Sequence, residues 1–282
     1  MLQRLDRILL AVRDRAAAAD TFAAVLGAEQ VRADHSDLLA AHRTVLHAGT
    51  SEIELLEPAG DGSVRAFIQR WGEGLFGVGF ATPDLRALAT HLSDRRIQWR
   101  EEAGRLHIAP DQTCGLRAVI SPSTTTTSLG GIRYIYEVTN LVSDWQQAAT
   151  RYADIFGLDA QKFHPLSSHE FGYTGALTLF NPPAQLDRIE LSQPTESDKS
   201  MGRFFAKRGP SLYMCYAESD DVGTITARLD RRGMRWASGH DTGAGENVFI
   251  HPSGLHGLLM GISRTNLAWT WSGRPDLAAV RA

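Results

Sequence analysis

Arginine and glutamate residues recur at matching places in the chain, and their chemistry differs. Glu54 and Glu190 lie in two similar six-residue segments, IELLEP and IELSQP. An ionised carboxylate can ligate a metal ion or act as a general base. Arg7 and Arg133 lie in a second pair of similar segments, LDRI and GIRY. A guanidinium group has donors but no acceptor, so it binds carboxylate or phosphate groups and cannot coordinate a cation.

These matches belong to a repeat that covers most of the chain. Residues 67–75 recur as 204–212, and the two segments are offset by 137 positions. When residues 5–8 are aligned with 131–134 the offset is 126, which predicts about ten extra residues in the first half of the second copy. A repeat of this length is too large for a solenoid unit. It indicates two homologous domains in tandem.

The repeat predicts how the chain is divided. The predicted parts are a first copy at 1–122, a polar linker at 123–130, a second copy at 131–263 and a tail at 264–282. The tail contains Trp269 and Trp271. Because large apolar patches are rarely exposed on soluble proteins, we expect this tail to pack on a domain surface.

Composition and charge restrict the class of protein. The chain has 282 residues, with 43% hydrophobic and 22% charged residues, as in soluble globular proteins. A formal net charge of -3 gives no electrostatic reason to expect nucleic acid or a membrane surface as a partner. Cys114 and Cys215 are too few for a disulfide framework, and no membrane span or signal pattern is found. The sequence therefore predicts a cytoplasmic protein with a small-molecule ligand, and it leaves the oligomeric state open.

Each copy contains the same order of predicted elements. An apolar strand at 8–12 is followed by a helix at 16–26, and a strand at 132–138 is followed by a helix at about 143–156. Several short strands follow each helix, and a second round of strand, helix and strands completes each copy. The pattern predicts an α+β protein with four strand-helix-strands units.

The quoted segments resemble those of the vicinal oxygen chelate superfamily, which includes glyoxalases, methylmalonyl-CoA epimerases, extradiol dioxygenases and bleomycin-resistance proteins. Residues 5–14 are similar to the family's opening strand IDHVAIRVKD, residues 53–58 match IELLEP, and residues 71–80 are similar to RGEGLHHIAF. His251 and Pro252 resemble the family's HP before the last strand. The resemblance implies two tandem domains, each a pair of βαβββ units that form a curled, cup-like mixed sheet.

The resemblance also implies where a divalent metal would bind, with ligands from four strands of each cup. The residues at the first three positions are Arg7, Glu54 and Gly77 in the first copy, and Arg133, Glu190 and Met214 in the second. At the fourth position, residues 116–121 and 257–263 contain no carboxylate. One possible ligand therefore remains in each copy. We expect no cofactor, although the sequence does not exclude a divalent metal.

Two interpretations of the second cup remain open. Strand alternation places Arg133, Ile135 and Glu137 on one face, and the resemblance implies that this face lines the cup. Glu190, on a neighbouring strand in the family's layout, is the expected partner of Arg133. In one interpretation Arg133 binds a ligand carboxylate, phosphate or enolate, and Glu190 or Glu137 moves a proton. In the other, Arg133 and Glu190 form an internal salt bridge that replaced a lost metal.

Three further residues are candidates for ligand binding in the second copy. Met214 and Tyr216 share one face of their strand, and Tyr216 is either a hydrogen-bond donor or a packed aromatic. His251 either orders a turn or faces the ligand. The second copy has the more polar lining, and in related two-domain dioxygenases the second domain commonly keeps the metal. We therefore expect the working site there.

Three functions follow from these observations. The first is a metal-independent lyase, isomerase or hydrolase that acts on a small oxygen-rich or aromatic acid. The second is a binding or resistance protein that kept the cup without chemistry. The third is a metal-dependent dioxygenase or epimerase whose ligands are not recognised in the sequence.

Overall fold

The computed structural model describes residues 1–181, 185–238 and 247–264, which form two eight-stranded mixed sheets and six α-helices. The first copy contains β1 (Arg4–Ala11), α1 (Arg15–Leu26), β2 (Glu29–Ser36), β3 (Ala41–Ala48), β4 (Ser51–Pro58), α2 (Ser63–Trp71), β5 (Gly74–Thr82), α3 (Leu85–Asp94), β6 (Trp99–Glu102), β7 (Arg105–Ile108) and β8 (Ala118–Pro122). The second contains β9 (Tyr134–Leu141), α4 (Trp145–Phe156), β10 (His164–Ser168), β11 (Tyr173–Asn181), β12 (Gln185–Pro194), α5 (Ser200–Arg208), β13 (Ser211–Glu218), α6 (Val222–Arg231), β14 (Trp236–Ser238), β15 (Asn247–Ile250) and β16 (Leu259–Ser263).

The two sheets have the same strand order. The first runs β2-β3-β4-β1-β5-β8-β7-β6, and the second runs β10-β11-β12-β9-β13-β16-β15-β14. In each sheet the two units of one copy join through their first strands, which pair antiparallel as β1 with β5 and β9 with β13. The α+β fold predicted from the sequence, with two tandem domains, is confirmed. The exact boundaries predicted for the copies and the linker stay a prediction.

Helices begin and end where the sequence supplies caps. The Asp14 side chain accepts hydrogen bonds from the amides of Ala16 and Ala17 at the start of α1, and Asp144 caps α4 in the same way. Both helices end at a glycine in the left-handed conformation, Gly27 at φ 67° and Gly157 at φ 60°. The matched caps fix both helices at an offset of 130 between the copies.

One face of each sheet packs into a shared apolar core. The core includes residues of both copies, with the Phe80 ring 5.7 Å from Phe156 and 5.6 Å from Phe180. The opposite face of the first sheet carries Arg7 and Glu54 and is called the first cup. The corresponding face of the second sheet is the second cup. Short helices α2 and α5 pack against these faces through residues such as Ile68 and Met201.

Strand register corrects one alignment made from the sequence. Arg7 lies opposite Glu52 of β4 and Gly79 of β5, whereas Glu137 lies opposite Arg188 of β12 and Tyr216 of β13. Arg7 therefore corresponds to Glu137, at an offset of 130 rather than 126. The predicted insertion of ten residues is too long, because the offset rises only from 130 at α4 to 136 at β12.

A β-bulge explains why simple alternation failed in β9. The pairing of β9 with β13 shifts between Ile135 and Glu137, and the pairing of β1 with β5 shifts at the equivalent place, between Leu5 and Arg7. A bulge adds one residue to a strand and re-aims the side chains beside it. Ile135 consequently packs in the shared core, while Tyr136 and Glu137 both face the cup. The prediction that Arg133, Ile135 and Glu137 share one face was wrong.

No helix of the described residues is long and apolar enough to cross a membrane. The cytoplasmic location, the small-molecule ligand and the lack of a nucleic-acid partner stay predictions. The predicted docking of Trp269 and Trp271 lies outside the described residues.

Candidate functional site

A buried ion pair forms the centre of the second cup. Arg188 of β12 is 0% exposed, and its Nε donates a hydrogen bond of 2.5 Å to Oε2 of Glu137 on β9. The guanidinium carbon of Arg188 also lies 4.6 Å from the centre of the Tyr136 ring. Glu137 is only 1% exposed. A fully buried guanidinium must be compensated by acceptors, and here the carboxylate and the aromatic face contribute.

A second carboxylate, Glu190, shares this centre. Glu190 follows Arg188 by two positions on β12, so both side chains point to the same face. Its Oε1 accepts a hydrogen bond of 2.6 Å from Ser192, and its Oε2 accepts one of 3.4 Å from Thr139. These two hydroxyl donors orient the carboxylate. The cup thus holds two carboxyl groups and one guanidinium.

The carboxyl group of Glu137 has an altered proton affinity. Burial and the charge of Glu190 together raise the pKa of Glu137 to about 8, although the charge of Arg188 opposes both effects. Among the described residues, Oε1 of Glu137 has no hydrogen-bond donor. A proton on Glu137 would allow a hydrogen bond to Glu190. Two close carboxylates in a buried site cannot both be ionised at low cost. At neutral pH Glu137 therefore holds its proton.

Tyrosine side chains surround the carboxyl pair. Tyr136 and Tyr216 stack with ring centres 6.2 Å apart, and Phe249 lies edge-on to Tyr216 at 6.0 Å. Met214 belongs to the same buried cluster. Burial and the charges of the two glutamates raise the pKa of Tyr216, so its hydroxyl remains a donor. Gly261 makes room for this ring, because a Cβ there would lie 2.3 Å from it.

The first cup has the opposite balance of charge. Three guanidinium groups converge on one buried carboxylate, Glu54. Its Oε1 accepts hydrogen bonds from Arg7 at 2.9 Å and from Arg105 at 2.5 Å, and its Oε2 lies 3.7 Å from Arg43. Although burial alone would raise it, the pKa of Glu54 is lowered to about 2 by the charges of these arginines. Glu54 is therefore ionised at any physiological pH.

Further acids neutralise part of the positive charge in the first cup. Asp6 binds Arg7 through two hydrogen bonds, Glu52 lies 3.1 Å from the same guanidinium, and Asp34 accepts from Arg43 at 2.6 Å. Arg7 also fills the space above Gly79, since a Cβ there would lie 2.0 Å from the Arg7 side chain. The first cup is thus packed by its own arginine.

Sequence reasoning placed some of the candidate residues correctly and missed the central cation. Glu137, Glu190, Met214 and Tyr216 lie together in the second cup, and their functional roles stay predictions. Arg188 was missed, although its position two residues before Glu190 matches that of Glu52 before Glu54. That spacing was the available signal, because alternating residues of a strand share a face.

Arg133 lies outside the cup, contrary to the expected pairing with Glu190. It precedes β9, its side chain is 46% exposed, and it contacts Asp220 at 3.0 Å and Glu218 at 3.7 Å. The corrected register explains this, because Arg133 corresponds to a residue before β1 rather than to Arg7. His251 caps a short turn at 252–254 by accepting from the amide of Ser253. The turn-ordering alternative for His251 thus matches its geometry.

The donors in the second cup do not fit the divalent metal that the resemblance implies. Glu137 and Glu190 are two oxygen ligands at the first two positions, but Met214 and Tyr216 replace the third, and Gly261 and Ser263 lie on the last strand. The positive charge of Arg188 already contacts Glu137. Among the described residues there is no group of three or more His, Cys, Asp or Glu that could hold a metal ion.

Comparisons with known proteins agree with this fold. Residues 6–112 match the family model described as Glyoxalase/Bleomycin resistance protein/Dioxygenase superfamily. A mutant of 4-hydroxymandelate synthase from Streptomyces coelicolor superposes with a TM-score of 0.72 and 13% identity, over 93% of this chain and 92% of that one. A fusion of a xylose isomerase-like TIM barrel with 4-hydroxyphenylpyruvate dioxygenase has a TM-score of 0.65 and 14% identity, over 93% of this chain and 48% of its own.

A methylmalonyl-CoA epimerase from Mycobacterium tuberculosis is 24% identical, with a TM-score of 0.40, over 46% of this chain and 87% of its own. The comparison with curated protein sequences finds no match. The fold is that of two tandem vicinal oxygen chelate domains. The family model thus matches the first copy, and the likeness to solved structures shows that both copies have this fold.

Proposed function

We propose that the second cup carries out proton transfer on a small oxygen-rich or aromatic acid, as an isomerase or lyase that does not use the family metal. Glu190 is the base, Glu137 is the acid, and Arg188 with Tyr216 binds an oxyanion. One observation carries the proposal. The buried carboxyl group of Glu137, with its pKa raised to about 8 by burial and by the charge of Glu190, lies between a second buried carboxyl group and a fixed guanidinium.

Such a pair can supply both groups that acid-base catalysis needs, a protonated acid and an ionised base. A general acid works best when its pKa lies near the working pH, and one carboxyl of a close pair is then protonated while the other is free. Glu190 is oriented by Ser192 and Thr139, which fixes the direction from which it removes a proton. The first cup has no such protonated acid at Glu54, because the neighbouring arginines lower the pKa of that carboxyl group to about 2.

The proposed reaction begins with removal of a proton from the carbon beside a carboxyl or carbonyl group. Glu190 takes this proton, and the electron pair moves to the carbonyl oxygen to give an enolate. The guanidinium of Arg188 and the hydroxyl of Tyr216 stabilise the developing negative charge. Glu137 then returns a proton to a neighbouring carbon or to a leaving group. The low exposure of both glutamates excludes water from this step.

Exchange of substrate protons with solvent tests the proposal directly. The protein is incubated in D2O with a panel of small acids that includes pyruvate, phenylpyruvate and mandelate, and NMR follows loss of the signal of the proton beside the ketone or carboxyl group. We expect exchange with at least one class of acid. Glu190→Gln should slow exchange by about 100-fold or more, as loss of a general base does.

A matched variant in the other cup serves as the control. Glu54→Gln removes the equivalent carboxylate of the first cup and should leave the exchange rate unchanged if the protein remains folded. Equal loss of exchange in both variants would contradict the assignment to the second cup. Binding of an acid without any exchange would favour the binding or resistance function. Exchange that requires added iron, manganese or zinc would favour the metal-dependent alternative.

A further inference from the structure

A cleft between the two copies lies apart from the polar centres of both cups. It has a volume of about 810 Å³, within the usual range for small-molecule sites. The first copy contributes Arg13 and Glu73, and the second contributes Arg232, Arg235 and the turn at 252–257. Among the described residues, none of these three arginines makes a side-chain ion pair. The cleft therefore has guanidinium groups on two sides that no carboxylate of the described residues pairs with.

The repeat supplies an internal reference for this cleft. The same elements of the opposite copies meet a second time, where α4 approaches α3 as α1 approaches α6. At that second place Arg95 is the counterpart of Arg232, and its Nε donates a hydrogen bond of 2.6 Å to Asp154. The counterpart of Asp154 on α1 is Ala24. The acid that neutralises the arginine in one junction is thus absent from the other.

Other positions differ in the same direction. Arg151 reaches across the second junction to the carbonyl oxygen of Gln112, whereas its counterpart in the cleft is the shorter Thr21. Gln98 of the second junction is replaced by Arg235 in the cleft. The cleft therefore has more positive charge and less side-chain filling than its counterpart.

The acid of the cleft is already engaged. Oε1 of Glu73 accepts from the backbone amide of Arg13, and Oε2 lies 3.4 Å from Nδ1 of His256. Nε2 of the same imidazole contacts the hydroxyl of Thr21 at 3.2 Å. Glu73 consequently orders the wall of the cleft and leaves the three guanidinium groups to a ligand.

We infer that this cleft binds a small molecule that carries a phosphate or diphosphate group. A guanidinium fork matches phosphate oxygens in a bidentate way, and several arginines around one cavity select a multiply charged anion over a single carboxylate. The inference does not depend on the proton-transfer proposal, because no residue of either carboxylate centre lines the cleft.

Calorimetric titration with inorganic pyrophosphate at an ionic strength of about 0.15 M, where the Debye length is about 8 Å, tests this site. The wild-type protein should bind it, and Arg232→Ala should weaken the affinity about 10-fold, as expected for loss of one charged hydrogen-bonding group. Ala24→Asp restores the acid that its counterpart junction has. It should weaken binding by a similar factor while every cleft arginine remains in place.

Arg231→Ala is the matched control, because it removes the same charge from the same helix end without touching the cleft. It should change the affinity by less than about twofold, as the charge of an exposed residue is screened. Absence of pyrophosphate binding by the wild-type protein would overturn the inference. Equal weakening by Arg231→Ala and Arg232→Ala would also overturn it, since binding would then follow net charge alone.

Discussion

The two cups contain the same ion pair with its polarity reversed. In the first cup the cation is Arg7 on the opening strand, and Glu52 on β4 lies 3.1 Å from it. In the second cup the opening strand supplies the anion, Glu137, and β12 supplies the cation, Arg188, at 2.5 Å. Strand pairing shows that these are equivalent positions in the two sheets. The fold thus accommodates a guanidinium from either strand.

The difference shows that the ratio of arginines to carboxyl groups in a cup determines whether its glutamates are protonated. Three arginines around Glu54 hold the pKa of that carboxyl down, to about 2. In the second cup a single arginine faces both Glu137 and Glu190. Its charge does not overcome the effect of burial, so the pKa of Glu137 is raised to about 8. The first cup is consequently locked in one protonation state, while the second can exchange a proton near neutral pH. This contrast is the reason for assigning proton transfer to the second cup.

Reversing the pair in the second cup gives the largest expected effect. Arg188→Glu would place three carboxyl groups together without a cation, which should reduce the free energy of unfolding by about 3–5 kcal/mol. The double variant Glu137→Arg with Arg188→Glu reproduces the polarity of Arg7 and Glu52. It should recover a large part of the lost stability, as measured by urea denaturation.

A double-mutant cycle makes this test quantitative. The two single substitutions and the double variant give the coupling energy between the positions. If the double variant is as unstable as the sum of the singles, the two cups are not interchangeable, and the comparison fails. The same reversal of Arg7 and Glu52 is the matched experiment in the first cup, where Glu54 would still hold Arg43 and Arg105.

The pH dependence of stability should have opposite signs in the two cups. The native state keeps the Glu137 proton up to about pH 8, whereas the ordinary pKa of a glutamate side chain is 4.5. Between these values the native state binds more protons, so this group makes the free energy of unfolding fall as pH rises, by up to about 1.4 kcal/mol per pH unit. For Glu54 the pKa is lowered to about 2, so its contribution is lost as pH falls from 4.5 to 2.

Denaturation of Glu137→Gln between pH 5 and 8 isolates the first of these slopes. The variant should lose stability less steeply with rising pH than the wild-type protein does. Burial also raises the pKa of Asp187 to about 8, so Asp187 makes the free energy of unfolding fall with pH in the same range. Asp187→Asn is therefore measured as the control, to separate its contribution from that of Glu137. If the free energy of unfolding of Glu137→Gln depends on pH as steeply as that of the wild-type protein, the proton is not held by Glu137.

The sequence predicted the fold far better than it predicted the site. The repeat and the apolar runs of strand and helix length were local signals, so the order of elements could be predicted from them. Strand β2 was missed because it is largely exposed and does not alternate. Helix α2 was missed because it begins at Ser63, after Gly62, which supplies no side-chain cap. These elements depend on tertiary packing rather than on local preference.

The site depended on register, which the sequence alone did not determine. The offset at the opening strand is 130 rather than 126, which moves the cup position by four residues, from Arg133 to Glu137. The cation came from Arg188 on a neighbouring strand, and only strand pairing shows that it reaches Glu137. Buried polar networks combine residues that are distant in sequence, so similar segments identify the strands but not the partners.

Glycine substitutions test whether the side chain of Arg7 fills the first cup. A Cβ at Gly79 would lie 2.0 Å from the Arg7 side chain, so Gly79→Ala should displace Arg7 from Glu54 and cost about 1–3 kcal/mol of stability. At Gly77 the nearest atoms would be 3.3 Å away, and Gly77→Ala should cost less. Thermal denaturation of both variants measures the difference. Equal losses would mean that Arg7 moves freely in the first cup.

The smallest effect is expected at Arg133, and it separates the two registers. Its side chain is 46% exposed and pairs with the exposed Asp220, so Arg133→Ala should change stability by less than about 1 kcal/mol, as for other surface pairs. Proton exchange in the second cup should continue at the wild-type rate, because Glu137, Glu190 and Arg188 remain in place. Loss of exchange in this variant, with Arg188→Lys still active, would mean that Arg133 holds the substrate and that the sequence alignment was functionally correct.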